Sequence, residues 1–151
     1  MPRPHDAGTD SAAGTVLVAD NDRAVSGLLT EVLVRSGLRV VHAYDGHAAA
    51  SMARDPVIRA IVCDLDMPGA SGLEVLASLA DLPTPPAAVV VSGYLDADVR
   101  AKLARLPFVR RVFAKPFDLR AFAACVQEAC AAAAPAVERG ADAGEAGRST
   151  C

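Results

Sequence analysis

The chain has 151 residues, 52% hydrophobic and 22% charged, with a formal net charge of −3 at pH 7. That length suits one domain with its own core, and the acidic balance argues against nucleic acid, which selects a basic face. No apolar run approaches the roughly 18 residues of a membrane span and the first residues lack the apolar stretch of a signal peptide, so a cytoplasmic protein with no membrane partner is expected.

Residues 1–14, MPRPHDAGTDSAAG, offer nothing to bury and read as a flexible arm. The first buried segment is Val16-Leu17-Val18, which runs into Asp20, Asn21 and Asp22. Val25, Leu28, Leu29, Val32 and Leu33 then recur at helical spacing until Gly37. Val40-Val41 is a second strand, followed by a weaker stripe of Ala48, Ala49, Met52 and Ala53. Ile61-Val62-Cys63 leads to Asp64, and Leu73, Leu76 and Ala80 follow Ser71-Gly72. Val89-Val90-Val91 ends in Ser92-Gly93 before a stripe of Val99, Leu103 and Leu106. The last pair is Val109 to Phe113, ending in Lys115-Pro116-Phe117, and a helix with Leu119, Phe122, Ala123 and Val126. From Pro135 the chain again has little to bury, so 135–151 is expected to be a disordered tail.

The strand runs are continuous and not alternating, as in sheets covered on both faces. Five such βα units predict a doubly wound, five-stranded parallel α/β sheet over residues 15–134, because right-handed crossovers leave few alternatives. The four cysteines, at 63, 125, 130 and 151, form no CxxC pair. Cys63 and Cys125 read as small buried hydrophobes, and Cys151 as an exposed thiol.

Function in such a sheet belongs beyond the carboxyl ends of the strands. There this chain places Asp20, Asn21, Asp64, Asp66, Ser92 and Lys115. One Asp after a strand is usually a turn or cap residue; carboxylates, a hydroxyl and a lysine at four strand ends together point to a site. The set suits phosphoryl transfer to a carboxylate: an Asp nucleophile, acidic neighbours able to hold Mg²⁺, and a lysine and hydroxyl for the phosphoryl oxygens. Asp22 is expected to cap the first helix.

At these residues, VLVADND, CDLDMPGASGLEVL, VVVSGY and FAKPFDL, the sequence resembles the receiver domain of two-component response regulators. The resemblance implies a flavodoxin-like (βα)5 fold with Asp64 as phosphoacceptor from a sensor histidine kinase or phosphotransfer protein. It implies that Asp20 and Asn21 stand at the acidic metal pocket, Ser92 at the switch hydroxyl and Lys115 at the phosphoryl-binding lysine. Asp66 falls where the family offers Mg²⁺ a backbone carbonyl, and its carboxylate is a further candidate donor. It also implies a cis Lys115-Pro116 bond, which the sequence itself only permits. With no output domain after residue 134, a stand-alone receiver is expected, a monomer or weak dimer acting on a target protein. The resemblance further implies an output face from the fourth helix to the fifth, near Arg100, Arg105, Arg110 and Arg111.

Two departures stand out. Asn21 replaces an acidic metal ligand, and the deficit is either made up by Asp66 or left as weaker Mg²⁺ binding. Val112 replaces the aromatic three residues before the lysine, while Phe113 should face the other side of its strand. Two rival readings remain. A pseudo-receiver signalling without phosphate is favoured by Asn21 and Val112 and opposed by Asp64, Ser92 and Lys115. A haloacid-dehalogenase-like phosphatase would use the Asp64-Leu65-Asp66 triplet, but Met67-Pro68 follows it and no later acidic pair closes the site.

Overall fold

The computed structural model describes residues 14–132. The arm before Gly14, the tail from Pro135 and Cys151 lie outside the described residues. Gly14, assigned to the arm by the sequence reading, is buried, and its carbonyl accepts the Arg39 N–H at 3.3 Å.

Strands β1 (Thr15–Ala19), β2 (Arg39–Ala43), β3 (Ile58–Asp64), β4 (Ala87–Ser92) and β5 (Val109–Ala114) alternate with helices. These are α1 (Arg23–Arg35), α2 (Gly46–Met52), α3 (Gly72–Leu79), α4 (Ala97–Ala104) and α5 (Leu119–Ala132). All strand pairs are parallel, in the order β2-β1-β3-β4-β5, as the sequence predicts. Among the described residues no helix is long and apolar enough to cross a membrane.

Period-two alternation splits the core into two layers. Val16, Val18, Val62, Val89 and Val91 face α1 and α5, where they meet Leu29, Leu33, Phe122 and Val126. Leu17, Ile61, Cys63 and Val90 face the other way, toward Val75, Leu76, Leu79 and Leu103. Each fully buried Val, Leu or Phe contributes about 1.5–3 kcal/mol. Phe113, Phe117 and Phe122 add a tilted aromatic cluster with centroids 5.3–5.9 Å apart. Cys63 and Cys125 are both buried; Cys63 is the free, hydrophobe-like thiol expected, whereas Cys125 is disulfide-bonded, which its spacing in the sequence did not indicate.

The helical stripes differ in detail from the sequence reading. Leu28 is 49% exposed and Ser26 is buried in its stead. At 100° per residue Leu28 sits far round the helix from Leu29, and tertiary contact selects the Ser26–Leu29–Leu33 face. Ala80 is the exposed C-cap of α3, and its buried face is Val75, Leu76 and Leu79. Leu106 lies beyond the end of α4. Strands β2 and β5 are sheet edges and only partly covered, so Arg110 and Arg111 stay exposed.

Candidate functional site

Where β1, β3, β4 and β5 end, backbone rungs continue just far enough to fix the residues that follow. The Asp20 N–H donates to Ala43 O at 3.1 Å, Leu65 N–H to Val91 O at 3.4 Å, and Lys115 N–H to Ser92 O at 2.8 Å. From the neighbouring β1 and β3 the chain departs toward opposite edges of the sheet, which opens a crevice between Asp20 and Asp64.

Asp20, Asp64 and Ser92 are buried, at 1%, 5% and 1% exposure. Asp64 Oδ1 accepts the Asp66 N–H at 3.0 Å, while Oδ2 faces the Lys115 ammonium at 3.3 Å. The same ammonium is 3.8 Å from Asp20 Oδ2, within ionic reach but too far for a hydrogen bond. Asp20 Oδ1 accepts the Asp22 N–H at 2.9 Å, and the buried Oδ2 has no hydrogen-bond partner. Burial holds the Asp20 carboxyl above the ordinary aspartate range; the Asp22 amide lowers it, the nearby Asp64 charge raises it, and Lys115 lowers it.

Beside the Lys115 ammonium the pocket offers acidic oxygens, one of them unsatisfied, and carboxylate oxygens are the donors a hard cation such as Mg²⁺ prefers. The sequence candidates are only partly drawn together. Asp20 and Asp64 are buried neighbours, whereas Asn21 and Asp66 are exposed. Among the described residues no three His, Cys, Asp or Glu side chains come together as a metal cluster. The group of Asp66 that reaches Asp64 is its amide, not its carboxylate. Asp22 is the N-cap of α1, its Oδ1 accepting the N–H groups of Ala24 at 2.9 Å and Val25 at 3.2 Å.

Ser92 is turned away from the carboxylates. Its hydroxyl donates to Tyr94 O at 2.9 Å and accepts the Tyr94 N–H at 3.1 Å. Val112 packs in the layer of α3 and α4, and Phe113 is buried in the layer of α1 and α5. The adjacent aromatic therefore faces the opposite side of β5, as the strand period requires. The Lys115-Pro116 bond is cis, in line with the resemblance.

Two glycines shape the crevice in ways the sequence reading missed. A Cβ on Gly72 would collide with Asp64 O and come within 2.6 Å of Leu65 Cα. One on Gly46 would strike the Ala70 carbonyl, whose loop is tied to α2 by the Gly46 N–H donating to Pro68 O at 3.0 Å. Only glycine lets α3 and α2 approach β3 and the loop that follows it this closely. The Ser71-Gly72 pair preceding a helical stripe is the sequence signal for the first; Gly46 carries none.

A family model described as the response regulator receiver domain matches residues 16–127. The chain is similar to the DNA-binding transcriptional regulator NtrC of Azospirillum brasilense, with 30% identity over 135 residues. That match covers 89% of this chain and 28% of NtrC, so the chain spans little more than a quarter of that relative. Among solved structures, the signal receiver domain of a putative Luxo repressor protein from Vibrio parahaemolyticus superposes with a TM-score of 0.73 at 18% identity, covering 80% of this chain and 92% of that one. A response regulator protein from Burkholderia pseudomallei, with a phosphorylated aspartic acid, calcium ion and citrate, gives 0.67 at 25% identity over 78% and 69%.

Proposed function

The chain belongs to the response regulator receiver domain family, and on that premise we propose that it is a signalling switch phosphorylated at Asp64. The observation that carries this reading is the pairing of a 5% exposed carboxylate at the end of the central strand β3 with an ammonium 3.3 Å from its Oδ2. The Asp66 amide and the Lys115 ammonium hold the two oxygens apart and aim Oδ2 into the crevice, where it can act as a nucleophile.

Asp64 Oδ2 attacks the phosphorus of a phosphohistidine on a sensor kinase or phosphotransfer protein. The P–O bond forms as the P–N bond breaks, and the electron pair leaves on the imidazole nitrogen, which takes up a proton. Lys115 then exchanges the carboxylate for a phosphoryl oxygen. For Ser92 to meet another phosphoryl oxygen, its hydroxyl must leave both bonds to Tyr94. Modification of Asp64 is thereby coupled to the loop between β4 and α4, without an aromatic at Val112. The carboxylates of Asp20 and Asp64, with the Asn21 side-chain oxygen and the Asp66 carbonyl, would hold Mg²⁺. Bound there, the ion neutralises charge between acceptor and phosphoryl group.

Acetyl phosphate or beryllofluoride with Mg²⁺ should perturb amide spectra at Asp64 and along Ser92–Tyr94, and Asp64→Ala should abolish the change. Silence of the intact protein at high Mg²⁺ would instead mark a module working without phosphate.

A further inference from the structure

At the opposite pole, where β3, β4 and β5 begin, lies an open groove of about 840 Å³. The seven residues of β3 separate it from Asp64, roughly 20 Å of strand. Its floor is apolar, with Ile58, Leu82, Pro86 and Phe108, and its rim carries Pro56, Pro83, Pro85 and Pro107.

Three guanidiniums line it, those of Arg54, Arg59 and Arg110. Arg54 is engaged, donating to Ser78 O at 3.1 Å and to Asp81 at 3.3 Å. Arg59 and Arg110 have no ion pair among the described residues. Among the described residues Asp55 is the one carboxylate in the lining, and its Oδ1 accepts the Val57 N–H at 3.0 Å. Proline has no N–H, so four rim positions offer a ligand no backbone donor. The strong donors left are the two guanidiniums, whose forks suit carboxylates. Fixed proline φ angles also mean that little of the rim must be ordered on binding.

We propose that this groove docks an acidic, extended peptide segment of a protein partner. Carboxylates pair with Arg59 and Arg110, and an apolar side chain between them rests on Leu82 and Phe108. The groove is open to solvent and not enclosed, which suits an extended chain better than a small molecule that must be enclosed. Because it lies at the pole away from Asp64, docking is compatible with either state of the acceptor.

The test is a fluorescence-anisotropy titration of the full chain with a short labelled peptide in which Glu alternates with Val, against a control with Gln for Glu. The acidic peptide should bind, weaken as salt rises, and lose roughly tenfold or more in affinity to the Arg59→Gln/Arg110→Gln variant. The control should not bind, and Asp64→Asn should bind the acidic peptide as the native chain does. The groove also receives the carboxyl ends of α2 and α5 at Ala53 and Ala132, where arginines can serve the helix dipoles alone. A double variant that melts earlier yet binds the peptide unchanged would overturn the proposal. So would equal binding of both peptides, or inorganic phosphate binding at these arginines without the peptide.

Discussion

Replacing Asp20 by Asn should stabilise the metal-free protein and weaken its response to Mg²⁺. Asp20 and Asp64 share one ammonium, at 3.8 and 3.3 Å. At such spacings, with an effective dielectric of 20, each charge pair is worth roughly 4 kcal/mol. For Asp20, attraction to Lys115 and repulsion from Asp64 oppose each other, and the burial of its charge is the largest influence on it. A buried polar atom without a partner costs about 1–3 kcal/mol, more when charged. Asn keeps an oxygen for the Asp22 amide and can donate to Asp64. In chelator the variant should gain about 1–3 kcal/mol, raising Tm by several degrees. In Mg²⁺ at a hundredfold over Kd, the native protein gains about 2.7 kcal/mol and the variant much less, so the order of the melting curves reverses. Differential scanning fluorimetry in both conditions reads this directly. A variant that melts below the native protein in chelator refutes the argument from burial, and equal gains from Mg²⁺ remove Asp20 from the ligand set.

The same carboxyl has its folded-state pKa raised above the unperturbed 3.8, so the folded chain holds the proton more tightly than the unfolded one. Its stabilising contribution is complete below that value and is lost as pH rises through the folded one; chelator-treated protein should show this term grow on acidification, and Asp20→Asn should flatten the profile. Because the Asp66 group that meets Asp64 is its amide and not its carboxylate, Asp66→Asn should leave Mg²⁺ affinity within about twofold, whereas Asn21→Asp should raise it by roughly tenfold through added ligand charge, read by calorimetry. Gly72→Ala should cost about 1–3 kcal/mol in urea denaturation, since both obstructing groups are backbone. Gly27→Ala, with nothing within 4 Å of its Cβ on α1, should gain about 0.5–1 kcal/mol. Ser92→Ala should leave the fold intact but speed amide exchange at Tyr94, whose N–H donates to the Ser92 hydroxyl.

Strand positions were legible because buried parallel strands need unbroken apolar runs, and Val16-Leu17-Val18 or Val89-Val90-Val91 has no other reading at that length. Asp20, Asp64, Ser92 and Lys115 were legible for a related reason: strand ends fix where side chains must gather. The limits lie in contacts between elements. Leu28 and Ser26 exchange places because α1 turns toward α5, which periodicity alone does not specify. The tight approaches at Gly46 and Gly72 depend on helices meeting a loop distant in sequence. Composition shows Asp66 near Asp64, but only geometry shows that its amide, not its carboxylate, faces the acceptor.

The rungs that run past the strand ends, Asp20 to Ala43, Leu65 to Val91 and Lys115 to Ser92, make the working groups extensions of the sheet and not of the loops. The loops then add single backbone amides, those of Asp22, Asp66 and Tyr94, that aim the side chains the sheet has placed. Because each aiming group is a peptide N–H, side chains in these loops can be exchanged while the oxygens of Asp20, Asp64 and Ser92 keep their partners.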